Sequence, residues 1–118
     1  MSTEIITLLP TTTSGDFKSV NQKGAGYHTY NDGVHTFSIS FKDWSGDLKI
    51  QGTLALYPSD NNSDWVTLND TTGNPIIFGD GSTDYDDSYS VTSVGKFVWV
   101  RAVGTITAGE ITQILYNH

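Results

Sequence analysis

Val34-His35-Thr36-Phe37-Ser38-Ile39-Ser40-Phe41 and Leu48-Lys49-Ile50-Gln51-Gly52-Thr53-Leu54-Ala55-Leu56-Tyr57 are two alternating runs joined through Asp43-Trp44-Ser45-Gly46. In the first, Phe37, Ile39 and Phe41 share one side and Thr36, Ser38 and Ser40 the other, the period of a strand with one buried face. In the second, Leu48, Ile50, Leu54 and Leu56 oppose Lys49, Gln51, Thr53 and Ala55. The short Asp- and Gly-containing link predicts a reversal, and so an antiparallel pair formed by residues 34–41 and 48–57.

Outward from this pair, residues 5–9, 65–68, 75–78, 89–94, 96–103 and 110–116 read as further strands, separated by Gly, Asn, Asp and Ser clusters that make turns. About eight short strands and no amphipathic helix predict an all-β fold, an antiparallel β-sandwich of jelly-roll-like or immunoglobulin-like form, with a small closed barrel as the alternative. The polar run Thr11-Thr12-Thr13-Ser14-Gly15-Asp16 beside Pro10 sets off residues 1–25 as an N-terminal arm or an edge strand. Residues 26–118 then form the sandwich domain.

Composition supports that class. A chain of 118 residues fits one hydrophobic core, and 36% hydrophobic with 12% aromatic residues supplies it. Only 16% of residues are charged, against about 25% in an average soluble domain. The helix formers Lys and Arg are scarce, 6 together, while β-favouring Thr and turn-favouring Ser, Gly and Asn abound. The formal charge of −7 opposes phosphate backbones and anionic bilayers, so neither nucleic acid nor membrane is an expected partner. No run of about 18 apolar residues is present, and Ile5, Ile6, Leu8 and Leu9 are too few and too interrupted for a signal peptide. With no cysteine, disulfides and thiolate chemistry are excluded and stability rests on packing.

Sites of chemistry are sparse. Asp80, Asp84, Asp86 and Asp87 put four carboxylates into eight residues, oxygen ligands of the kind calcium takes, but without the spacing of a helix-loop-helix site. Acidic Gly-containing loops are more often solvated turns, so no cofactor is expected and calcium is the exception to test. Asp60-Asn61-Asn62-Ser63-Asp64 begins like a calcium loop and then places Trp65 where that loop needs Gly. His28 and His35 flank the turn Tyr30-Asn31-Asp32-Gly33 and could meet with Asp32 as a metal or acid–base group, though isolated histidines are commoner. Neither a Gly-x-Ser-x-Gly elbow nor a phosphate-binding glycine loop occurs, and the chain reads as non-enzymatic. Trp44, Tyr57 and Tyr85 are candidates to stack on a sugar ring, with the competing reading that they fill the core.

Phe97-Val98-Trp99-Val100-Arg101-Ala102-Val103 is apolar on both faces, unlike a strand with one wet side. Either loop residues cover its outer face or that face meets another subunit. Phe97, Trp99 and Arg101, two of them of types favoured at contact centres, are therefore candidate contacts, together with Ile5, Ile6 and Leu8 of the arm.

The closing residues Gly95-Lys96-Phe97-Val98-Trp99-Val100-Arg101-Ala102 and Gly104-Thr105-Ile106-Thr107-Ala108-Gly109-Glu110-Ile111-Thr112-Gln113-Ile114-Leu115-Tyr116 resemble the end of small β-sandwich structural proteins of tailed-phage virions, the cyanophage type especially. Ser63-Asp64-Trp65-Val66-Thr67-Leu68 is similar to their W-x-x-L strand. The resemblance covers roughly residues 35–118 and rests on alternation and glycines. It implies a non-enzymatic virion component: a capsid decoration protein, a neck or baseplate accessory, or a fibre module. It further implies synthesis in the host cytoplasm, assembly into a homo-oligomer, with a trimer expected from virion symmetry, and contacts with other virion proteins. The same terminal pattern also resembles galactose-binding-like domains, which implies a glycan-binding module used for host-surface adhesion. A glycan module should gather exposed aromatics at one loop end, whereas a virion component should carry an apolar flank that includes Phe97 or Trp99.

Overall fold

The computed structural model describes residues 5–9, 12, 15–19, 21–23, 33–59, 64–79, 85–95 and 97–117. Eight strands make one antiparallel sheet: β1 (Ile5–Leu9), β2 (Gly15–Lys18), β3 (Gln22–Lys23), β4 (Val34–Thr53), β5 (Val66–Thr67), β6 (Ile77–Phe78), β7 (Ser88–Val94) and β8 (Trp99–Asn117). The expected all-β sandwich is thus the observed class, but it is built differently from a row of short hairpins.

β4 and β8 are 20 and 19 residues long and pair with each other nearly end to end, from Thr36 opposite Asn117 to Thr53 opposite Trp99. A straight 20-residue strand would reach roughly 66 Å at about 3.3 Å per residue. The longest dimension of the molecule is 39 Å, so both strands must fold over. They do so where the sequence reading expected a reversal. Asp43 has φ 49° and Gly46 φ 145° on β4, Gly109 has φ 69° on β8, and the register slips between Lys42 and Ser45 and again between Ser45 and Gly46. Positive φ with a slipped register is a bulged bend, which turns the strand's direction without breaking its pairing. Residues 34–41 and 48–53 therefore do not pair with each other as a hairpin. Both pair with β8, and the strands expected over residues 96–103 and 110–116 as separate elements fall in one strand, Trp99–Asn117.

The bend creates two layers. One contains β1, the second half of β8, the first half of β4, and β7; the other contains β2 and β3, the first half of β8, the second half of β4, and β5 with β6. β1, β2 and β3 thus each lie along β8. Phe37, Ile39, Phe41, Ile111, Ile114 and Tyr116 from the first layer and Leu48, Ile50, Val100, Ala102, Ile106, Leu68 and Ile76 from the second form one buried cluster. At the bend, Phe41 stacks on Trp44 with centroids 4.5 Å apart, and Phe78 of β6 meets Tyr89 of β7 at 5.6 Å, joining the two layers. At the opposite end Phe97 bridges them, its ring 6.0 Å from that of His35 at the start of β4 and against Gly52 near its end.

Candidate functional site

The outer face of the second layer is covered around Arg101. Arg101 of β8 stands opposite Gln51 of β4 and points away from the core, yet both are buried. The cover is Trp65, just before β5, which lies on the Arg101 guanidinium, 4.1 Å from carbon to ring centroid. Arg101 Nε donates to Gln51 Oε1 at 2.8 Å, so a planar cation is both stacked and hydrogen-bonded in a desolvated setting where cation–π attraction is strongest. Of the two explanations for the apolar strand, the loop cover is what the structure shows at Arg101.

Hydrogen bonds fix the described parts of this loop, residues 54–59 and 64–65. Trp65 Nε1 donates to the Ser59 carbonyl at 2.8 Å and Trp99 Nε1 to the Leu56 carbonyl at 3.0 Å. Asp64 Oδ2 accepts from the Ser59 N–H at 2.7 Å and from its hydroxyl at 2.8 Å, and these two bonds hold the Asp64 carboxyl below the ordinary aspartate range. Ala55 N–H donates to Thr53 Oγ1, fixing the exit from β4. A loop tied at both ends in this way has already lost much of the freedom that a binding surface would otherwise have to give up.

The fixed loop displays apolar groups to solvent. Leu54 is 72%, Leu56 53% and Tyr57 90% exposed, and Val66 of β5 and Val94 of β7 are 56% and 63% exposed. Leu54, Ala55, Val66 and Phe97 line one shallow hollow; Val66, Leu68, Val94 and Phe97 line another, with Asp70 and Thr71 at its margin. Val66 and Phe97 belong to both, so these side chains form one end face of the sandwich. The sequence reading placed Leu54 and Leu56 on the inward side of a strand reaching Tyr57. β4 ends instead at Thr53, and the signal that could have shown this is Pro58 followed by Ser59-Asp60-Asn61-Asn62, a run of turn residues.

The other candidates fall as follows. Phe97 lies in the end face, Trp99 is half-buried as an anchor of the loop, and Arg101 is engaged beneath it. Leu8 is wholly buried, Ile6 is half-buried against the core, and Ile5 pairs through its backbone with Asn117. Trp44 is buried at the bend, its indole N–H without a hydrogen-bond partner among the described residues, and Tyr85 packs among Phe41, Trp44, Phe78 and Tyr89. Of the three proposed stacking rings, Tyr57 alone is exposed. Asp80 and Asp84 lie outside the described residues; Asp86 accepts from the Asp43 N–H at 3.2 Å and Asp87 offers its carbonyl to Phe41 N–H. No group of three potential metal ligands occurs among the described residues. His28 and Asp32 also lie outside them.

His35 is a core residue. Its Nε2 faces the Gly95 carbonyl at 2.6 Å and its Nδ1 the Tyr116 hydroxyl at 2.6 Å. A carbonyl can only accept, so Nε2 carries a proton, and in that neutral tautomer Nδ1 is the acceptor for the Tyr116 hydroxyl. Burial pushes the Tyr116 phenol far above its ordinary value of 10.0, which keeps that donor protonated. The pair ties β4 to the end of β8 and holds Gly95, two residues before Phe97.

Comparison with protein families, with curated proteins and with solved structures finds no match for this chain.

Proposed function

We propose that the protein is a non-enzymatic structural component of a phage virion that acts through protein–protein contacts, assembling with further copies of itself through its apolar end face. The observation that carries this reading is the exposure of Leu54, Leu56 and Tyr57 on the segment after β4, which the Trp99 indole holds from below, and of Val66 on β5 and Val94 on β7, with Leu54, Val66 and Val94 lining the hollows beside Phe97. Rigid, mainly aliphatic surface suits burial against another protein, since each apolar side chain withdrawn from water contributes about 1.5–3 kcal/mol. Repetition on a symmetric particle sums such contacts. The virion setting is supported by the resemblance of residues 95–116 to tailed-phage structural proteins. The glycan reading has less support, because Tyr57 stands apart from Trp44 and Tyr85, which pack inside.

Light scattering coupled to size exclusion tests the assembly. The wild-type chain is expected to run as an oligomer, three chains by virion symmetry, and Leu54→Ser/Tyr57→Ser to fall in mass with an unchanged far-UV spectrum. Equal masses for the two proteins would refute assembly through this face. Mass spectrometry of purified particles carrying the gene should find the chain among the virion proteins, and its absence would remove the virion role.

A further inference from the structure

We infer that β7 is a second interaction surface, an open sheet edge that pairs antiparallel with β7 of another copy about a two-fold axis. Among the described residues β4 is the one strand that pairs with β7, along all seven positions from Ser88 to Val94. Among the described residues its other edge therefore presents backbone groups with no strand beside them. Natural edge strands are guarded against such pairing by charge, proline, bulges or short length. Ser88-Tyr89-Ser90-Val91-Thr92-Ser93-Val94 has no charge and no proline, and its pairing with β4 runs without a register slip. The opposite edge differs: β1 is flanked by Glu4 and Pro10 and slips register between Thr7 and Leu9.

The core is also unfinished at β7. Tyr89 and Val91 lie opposite Ile39 and Phe37 and face inward, yet both remain half exposed while Ile39 and Phe37 are wholly buried. A further strand beside β7 would cover them, as an inner position of a sheet is covered.

The occupant is a second copy because the charges around this strand are complementary under a two-fold. Asp86 and Asp87 precede the strand and Lys96 follows it in sequence. Pairing centred on Val91 sets Ser90 opposite the partner's Thr92 and Ser88 opposite the partner's Val94. It brings the acidic start of each strand to the end that precedes the partner's Lys96. For chains of net charge −7, an uncharged strand with opposite-sign flanks is where two copies can approach at least electrostatic cost. A two-fold of this kind is the commonest form of self-association.

The inference extends the assembly reading to a different surface, and the experiment separates them by working in the Leu54→Ser/Tyr57→Ser chain, whose end face is disabled. That chain is expected to remain a dimer at high concentration. Adding Ser90→Lys/Thr92→Lys, both on the outward side of β7, should halve the mass to a monomer with the far-UV spectrum kept, because each new lysine faces a lysine of the partner. Mixing this protein with the Ser90→Asp/Thr92→Asp version should restore the two-chain mass, which a folding defect would not do. A monomer before the lysines are added, a dimer that survives them, or a mixture that stays monomeric would each overturn the edge pairing. The end-face reading is judged separately, by whether the wild-type mass exceeds that of the Leu54→Ser/Tyr57→Ser chain at the same concentration.

Discussion

Arg101 shows how one residue serves both packing and display. Buried on what should be the wet side of a sheet, it gives Trp65 a cationic surface to cover, and the covering loop then carries Leu54, Leu56 and Tyr57 outward. Arg101→Lys keeps the charge but loses the flat stack and the fixed Nε bond to Gln51. It is expected to lower unfolding free energy by about 1–3 kcal/mol in chemical denaturation, the cost of unmaking buried hydrogen bonds to a charge. Tyr116 makes a prediction in pH. Its phenol is raised in the folded state by burial, so above the ordinary tyrosine value of 10.0 the unfolded chain loses a proton that the folded chain keeps. The unfolded state then binds fewer protons, and stability must fall as pH rises through that range. A denaturation series from pH 8 upward should show this fall in the wild type and a shallower one in Tyr116→Phe.

At the scale of elements, the bend in β4 and β8 decides the architecture. Gly104 lies opposite Leu48 just past the bend, and a side-chain carbon there would run into the Asp47 backbone carbonyl. Gly104→Ala is expected to cost about 3 kcal/mol or more in thermal or chemical unfolding, since backbone on the paired strand cannot step aside as a side chain can. The loop offers a contrasting case. Asp64→Ala removes both bonds to Ser59 at an exposed site, so self-association should weaken in light scattering while the melting midpoint stays near that of the wild type. Legibility in the sequence also divides at this scale. Alternation at Phe37, Ile39 and Phe41 and at Leu48 and Ile50 identified inward faces, because period two is a local property. Whether Asp43-Trp44-Ser45-Gly46 reverses the chain or only bends it depends on β8, some 60 residues away, and both outcomes use the same positive-φ residues. The apolar outer face around Arg101 was visible as an anomaly; that Trp65 would cover it was not, since nothing local pairs an indole with a guanidinium 36 positions later.

At the scale of the whole molecule, the two layers share their long strands, and among the described residues the open end of the fold is closed by Phe97, by His35 with Tyr116, and by the segments that the Trp65 and Trp99 indoles tie down. Leu54, Val66 and Val94 are exposed at this same end, where contact with other copies is proposed. Hydrogen–deuterium exchange of the assembled wild-type protein against Leu54→Ser/Tyr57→Ser tests that placement most directly. Slower exchange in the wild type is expected at residues 54–57, 66–68 and 94–97, with the outer side of the first layer around Thr36, Ser38 and Leu115 unchanged. Identical exchange in the two proteins at the end face, or a difference confined to the first layer, would contradict it.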